Sequence, residues 1–214
     1  MRTLALGCSF TKGAELADPK KDSWPGKLAE MSGWAIDNHA EHGGSNDMMF
    51  RKAIEMSDNY DLVIVAWTEV HRLEVWVNDP VVVNGVTYVG PTSINSLHSE
   101  KIFPWSKEYF SRHANLEYNV RRWLVQVIAL QSYFNSVNKK FIFLSAFGNT
   151  ERVQRIKTSL VNKLNLSDWV DYPRTIAQWT SRLPRGPNLH PLEQGHQLVA
   201  EKIHEHIRNR GWLS

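Results

Sequence analysis

The chain has 214 residues, 42% hydrophobic and 22% charged, with 25 basic against 22 acidic side chains. That is enough chain to bury a core and too apolar for a disordered segment, and no apolar run approaches the ~20 residues that a membrane span needs. The formal charge of +3 is scattered in pairs such as Lys20-Lys21, Arg121-Arg122 and Lys139-Lys140, not gathered into the basic stripe of a nucleic-acid binder.

Thr3 to Leu6 is a brief apolar run that stops at Gly7-Cys8-Ser9, which predicts a buried strand ending in a turn. The start of the chain lacks the apolar core and cleavage site of a signal peptide, so a cytoplasmic location is expected. Cys8, the only cysteine, excludes an internal disulfide framework and a four-cysteine zinc site. Ser23 to Met31 reads as a helix, with Ser23 as cap, Pro25 in the first turn and Gly33 as stop. Trp34 to Asp37 predicts a second strand. The polar turn His42-Gly43-Gly44-Ser45 then opens a helix carrying Met48, Met49, Ala53, Ile54 and Met56, capped by Ser45. Asp61 to Ala66 is the continuous apolar run of a parallel strand covered on both faces.

Val75 to Val77, Val81 to Val83 and Val86 to Val89, with Asn84-Gly85 between the last two, predict a β-hairpin, because both turn residues tolerate positive φ. Residues 90 to 112 are irregular and aromatic-rich. A long helix is expected from Asn115 to Asn135, a fourth buried strand from Lys140 to Ala146, and a helix from Glu151 to Leu164. Residues 165 to 185 are ambiguous, and an amphipathic helix runs from about Leu192 to Arg208. Strands alternating with helices imply right-handed crossovers and a parallel sheet sandwiched between helices. The expected organisation is one domain over 1–214 with an insertion at about 73–112. Ligands of such folds bind beyond the carboxyl ends of the strands.

Those ends carry suggestive residues. The first delivers Ser9, the second Asn38 and the glycine turn with Asn46, and the third Trp67-Thr68-Glu69. His190-Pro191 lies just before the final helix. A glycine turn before a helix offers backbone N–H groups to an anion. An ordinary capped turn and a structural histidine would leave the same residues.

Together these pieces resemble the SGNH hydrolases, also called GDSL-type esterases, over nearly the whole chain except residues 73 to 112. Gly7-Cys8-Ser9-Phe10 resembles the first block, Asn38 with Gly43 the second, Val65 to Glu69 the third, and His190-Pro191 with Gly195-His196 the fifth. The size and the second block are most similar to the short phage-borne and bacterial members. The resemblance implies a three-layer α/β sandwich with a central parallel five-stranded, flavodoxin-like sheet. It places Ser9 as nucleophile and His190 as base, with the Ser9 and Gly43 amides in the oxyanion hole. Water would complete acyl transfer from a small-molecule or carbohydrate ester, with no metal or cofactor.

Two positions depart from the pattern. Thr68 stands where the third block has asparagine, leaving Thr68 or Asn46 as the remaining oxyanion donor. The family's acid lies three residues before the histidine, where this chain has Pro187, or two before, where it has Asn188. Asn188 is therefore expected in the orienting position, with Glu69, Glu193 or a main-chain carbonyl as alternatives. Trp67, Arg72 and Trp76 are the expected substrate-binding residues. The missing carboxylate also keeps open a second reading, a catalytically impaired carbohydrate-binding or virion-associated module. Neither His39 with His42 nor His204 with His206 has a metal-ligand signature. No nucleic-acid or membrane partner is expected.

Overall fold

The computed structural model describes residues 1–83, 85–96 and 99–213, without the side chains of Ser99, Asn149, Thr150 and Glu151. The elements are β1 (Arg2–Leu6), α1 (Ser9–Lys12), α2 (Pro19–Asp22), α3 (Trp24–Ser32), β2 (Ala35–Asn38), α4 (Asn46–Met56), β3 (Leu62–Trp67), β4 (Leu73–Val83), β5 (Val86–Ile94), α5 (Trp105–Glu108), α6 (Leu116–Ser136), β6 (Lys140–Ser145), α7 (Asn149–Ile156), α8 (Ile176–Trp179) and α9 (Glu193–Asn209).

β2, β1, β3 and β6 form a parallel sheet in that order. Every residue of β3 is buried, as a central strand flanked on both sides and covered on both faces requires. The covering helices pack as α3 on α9 and α4 on α6. Their ends follow the sequence. Ser45 Oγ accepts from Met48 N at 3.2 Å at the start of α4, and Asn115 Oδ1 accepts from Tyr118 N at 2.9 Å at the start of α6. Gly33 closes α3 in the left-handed region at φ +69°.

The expected fifth strand is reduced to one bridge. Trp169 pairs with Phe143 in parallel, and Val170 N donates to Phe143 O at 3.0 Å. Asp171 then turns away at φ +50°, and Pro173 has no N–H to offer a ladder. The described sheet therefore has four strands, not five. The helix expected over 151–164 also breaks, at Lys157 with φ +46°, and resumes as a 3₁₀ segment over Ser159–Lys163.

β4 and β5 form the antiparallel hairpin, pairing from Leu73 opposite Ile94 to Val77 opposite Gly90 and, after a bulge in β4, from Val81 opposite Tyr88 to Val83 opposite Val86. Asn84 of the expected turn lies outside the described residues. The hairpin has its own apolar cluster of Val77, Ile94 and Phe103, and it is fastened to the sandwich at its base. Arg51 of α4 grips Glu74 through two bonds of 2.9 and 2.8 Å, and Ser45 N donates to Ser93 Oγ at 3.0 Å. Among the described residues no helix is long and apolar enough to cross a membrane.

Candidate active site

A cleft of about 740 Å³ opens at the carboxyl end of the sheet. Ser9, Gly43, Arg72, Asn188 and His190 all line it. Ser9 reaches it because β1 ends at Leu6 and the chain turns through Cys8 into α1, whose first residue is Ser9. The N–H of a first helical residue has no partner within its helix. The ring of the next residue, Phe10, meets the His190 imidazole edge-on at 5.6 Å.

The carboxylate that the sequence lacks near His190 is brought to it from the other end of the chain. Glu15 Oε2 lies 2.8 Å from His190 Nδ1. Glu15 stands just beyond α1, with its backbone at φ +67°, and the loop before α9 folds around its carboxylate. Asn188 N and Nδ2 each donate to Oε1 at 3.0 Å, and His190 N donates to Oε2 at 3.3 Å. The loop itself is tight: Leu189 sits at φ +64°, and Gly186 N donates to His190 O at 3.0 Å. A Cβ on Gly186 would stand 2.6 Å from the Glu15 carboxyl carbon, so only glycine lets the loop close this far. Arg185 secures the outer side through Leu189 O at 3.1 Å and Ala177 O at 2.8 Å.

The Asn188 N–H is the chief cause of a Glu15 pKa lowered to about 2. Desolvation opposes it, and the bonds from the His190 side chain, the His190 N–H and the Asn188 amide add to it. An ionised carboxylate only accepts, so His190 Nδ1 carries the proton of this bond, and in the neutral ring Nε2 is the nitrogen with the lone pair. That is the tautomer a general base needs. Among the described residues the Ser9 hydroxyl makes no hydrogen bond to His190, a separation common in unliganded sites.

Several expected site residues stand elsewhere or do something else. Asn188 binds Glu15, not the imidazole, and so holds the carboxylate that meets the ring. Asn46 is buried and committed to backbone, with Oδ1 accepting from Thr68 N at 2.8 Å and Nδ2 donating to Thr68 O at 3.1 Å. Thr68 is likewise buried, and neither residue lines the cleft, because this clasp turns both into the seam between α4 and β3. Trp67 is fully buried, edge-on to Phe143 at 5.4 Å, and has no face for a substrate. Trp76 is 71% exposed and lies outside the cleft. Its neighbour Val77 points into the hairpin cluster, and strand alternation sends Trp76 to the opposite face. Glu69 pairs with Arg152, and Glu193 opens α9 away from the cleft.

The hairpin reaches the cleft through Asn95 and Ser96. Gly43 holds φ +71°, and a Cβ there would lie 3.5 Å from Asn95 Nδ2, so this side-chain amide sits beside the glycine turn. Burial lowers the pKa values of two further cleft histidines, with added repulsion from Lys12 and His190 at His42 and from Arg152 at His71. His71 Nδ1 rests 3.2 Å from the buried Asn119 amide. His196, beside the histidine block, is structural: its Nδ1 accepts from Trp24 N at 3.0 Å at the start of α3. Among the described residues no group of three or more His, Cys, Asp or Glu side chains is placed to hold a metal.

The architecture has counterparts among solved structures. It is similar to the psychrotrophic esterase EstA from Pseudoalteromonas, with 13% identity, 98% of this chain and 97% of that chain covered, and a TM-score of 0.56. It is similar to the acetyl xylan esterase AlAXEase, with 13% identity, 96% and 98% coverage and a TM-score of 0.56. A member of the lipolytic protein G-D-S-L family from Veillonella parvula shares 15% identity over 95% of this chain and 96% of that one, at a TM-score of 0.50. The fold is that of the SGNH, or GDSL-type, hydrolases. The chain belongs to a family of unknown function, DUF6071, whose model matches residues 15–214. No curated protein matches the sequence.

Proposed function

We propose that the protein is a serine ester hydrolase working through Ser9, His190 and Glu15. The observation that carries this reading is the Glu15–His190 bond of 2.8 Å at the rim of the cleft that Ser9 lines. His190 Nε2 takes the Ser9 proton as Oγ attacks the ester carbonyl, and Glu15 stabilises the resulting imidazolium while holding its orientation. His190 then returns the proton to the leaving alkoxide. A second round with water as nucleophile frees the acid and restores Ser9. The developing oxyanion is held by the Ser9 and Gly43 N–H groups, with the Asn95 amide as third donor; one well-aimed donor is worth about 3 kcal/mol.

The substrate class is a small or carbohydrate ester, and the likeness to an acetyl xylan esterase makes a sugar acetate the first natural candidate to try. The reading as an impaired binding module rests on the absence of an acid near His190 in the sequence. The carboxylate of Glu15 on His190 favours the hydrolase over that module. The test is turnover of 4-nitrophenyl acetate. Wild type should show steady-state release of nitrophenol, while Ser9→Ala and His190→Ala, each folded by circular dichroism, should fall to the uncatalysed rate. Activity that survives Ser9→Ala would refute the reading.

A further inference from the structure

The cleft is richer in cations than acyl transfer from a neutral ester requires. Among the described residues, Arg72, Arg152 and Arg185 line it against one lining carboxylate, Glu69, while the Glu15 carboxylate behind His190 is taken up by the histidine loop. Glu69 is taken by Arg152, and Arg185 is spent on Leu189 O, Ala177 O and Thr180 Oγ1. Arg72 differs from both. Among the described residues it has no carboxylate partner, although Glu74 lies only two positions further on, because Glu74 is gripped by Arg51.

Arg72 is nonetheless held in place. Its guanidinium lies over the Phe147 ring at 5.5 Å, and Nη1 donates to Gly44 O at 3.3 Å. Phe147 in turn packs on Phe10 at 4.6 Å, the ring that meets His190. Aromatic contacts thus run from the guanidinium to the residue after Ser9. The backbone beneath it is clamped as well: Arg122 donates to Val70 O at 3.1 Å and Arg72 O at 3.0 Å. A half-buried guanidinium, stacked and with donors left over, is preorganised for a planar or tetrahedral oxyanion.

We infer that the ester bound in this cleft carries an anionic oxygen group, a carboxylate or a phosphate, seated on Arg72. The inference rests on the hydrolase reading and adds the substrate's charge. It is tested without turnover, on Ser9→Ala protein, by calorimetry with two pairs of esters that differ only in charge. One pair is mono(4-nitrophenyl) succinate and its methyl ester, with the charge on the acyl side. The other is 4-acetoxybenzoate and its methyl ester, with the charge on the alcohol side.

In at least one pair the charged ester should bind about ten- to a hundredfold tighter at low salt, with the advantage shrinking as salt rises. Adding Arg72→Gln to Ser9→Ala should remove that advantage, and Arg72→Lys should restore part of it. Free succinate and inorganic phosphate, titrated separately, show which anion the seat prefers. Equal affinity within both pairs overturns the inference, as does a charge preference that Arg72→Gln leaves unchanged. Should Arg72→Gln fail to fold, the salt dependence and Arg72→Lys decide. The hydrolase reading fails separately, when wild type turns over none of these esters.

Discussion

Glu15 and His190 stand 175 positions apart in the chain, and their side chains meet at 2.8 Å. In the SGNH hydrolases that the chain resembles, the acid sits on the same short loop as the histidine. Here the histidine loop supplies three more donors, from Asn188 N, Asn188 Nδ2 and His190 N, to a carboxylate delivered from the other end of the chain. A residue at Glu15 can therefore perform the acid's task although the positions before His190 carry none.

Removing the charge should expose that role. Glu15→Gln keeps the shape but cannot stabilise an imidazolium, and it can donate to Nδ1 and so favour the wrong tautomer. We expect kcat on 4-nitrophenyl acetate to fall by ~10² to 10⁴ with little change in KM, on the scale of the corresponding change in serine proteases. A fall of less than threefold would show that the ring is oriented by something else.

Asn188→Asp tests the same geometry from the other side. On the sequence alone, this change would restore the missing acid and raise activity. In the structure it replaces a donor at 3.0 Å from Glu15 Oε1 with a second carboxylate. Repulsion should raise the Glu15 pKa and loosen the loop, so turnover should drop rather than rise, by roughly tenfold, the worth of one charge-assisted hydrogen bond. A gain in kcat would mean that the introduced carboxylate takes over the imidazole.

Gly186→Ala places a methyl 2.6 Å from the Glu15 carboxyl carbon. The carboxylate must shift out of a cradle of four donors, and the His190 loop must open with it. Activity should fall by tenfold or more, while thermal unfolding shifts by only a few degrees, because the sheet core is untouched. Comparing kcat with the melting temperature separates this from general destabilisation.

Two groups give the fold a defined acid sensitivity. The pKa of His196 is lowered to about 4, first by burial and then by His190, because its neutral Nδ1 must accept from Trp24 N. The unfolded chain, with a histidine near 6.5, binds more protons between these values, so stability is full above about 6.5 and declines as pH falls toward 4. The loss by pH 4 is on the order of 3 kcal/mol. Denaturant unfolding at pH 7 and pH 4.5 should show it, and His196→Gln should flatten the difference.

Glu15 follows with the same sign in a lower window. Its pKa is about 2 against an ordinary 4.5, so its stabilising contribution is present above 4.5 and lost as pH falls through 2. The gap in melting temperature between wild type and Glu15→Gln should therefore be widest near pH 6 and narrow by pH 2.5. A gap that stays constant over that range would contradict the ionised assignment.

Local chemistry determined most of the scaffold in advance. Apolar runs of strand length, Ser45 and Asn115 as caps and Gly33 as a stop fix the elements, since each acts within a few residues of itself. The same locality brought Ser9, Gly43 and His190 to the right edge of the sheet by topology alone. The fifth strand, Asn46 and the tryptophans depended on packing. One bridge at Trp169 cannot propagate past Asp171 and Pro173, Asn46 is consumed by the Thr68 backbone, and alternation along β4 turns Trp76 outward. The carboxylate partner of His190 could not be read from spacing at all. Glu15 resembles any other charged residue beyond a short helix, and nothing within its own stretch of chain binds its carboxylate. Only when α1 and the loop before α9 fold against one another do four N–H donors converge on it, and a carboxylate's partners are set by proximity in space.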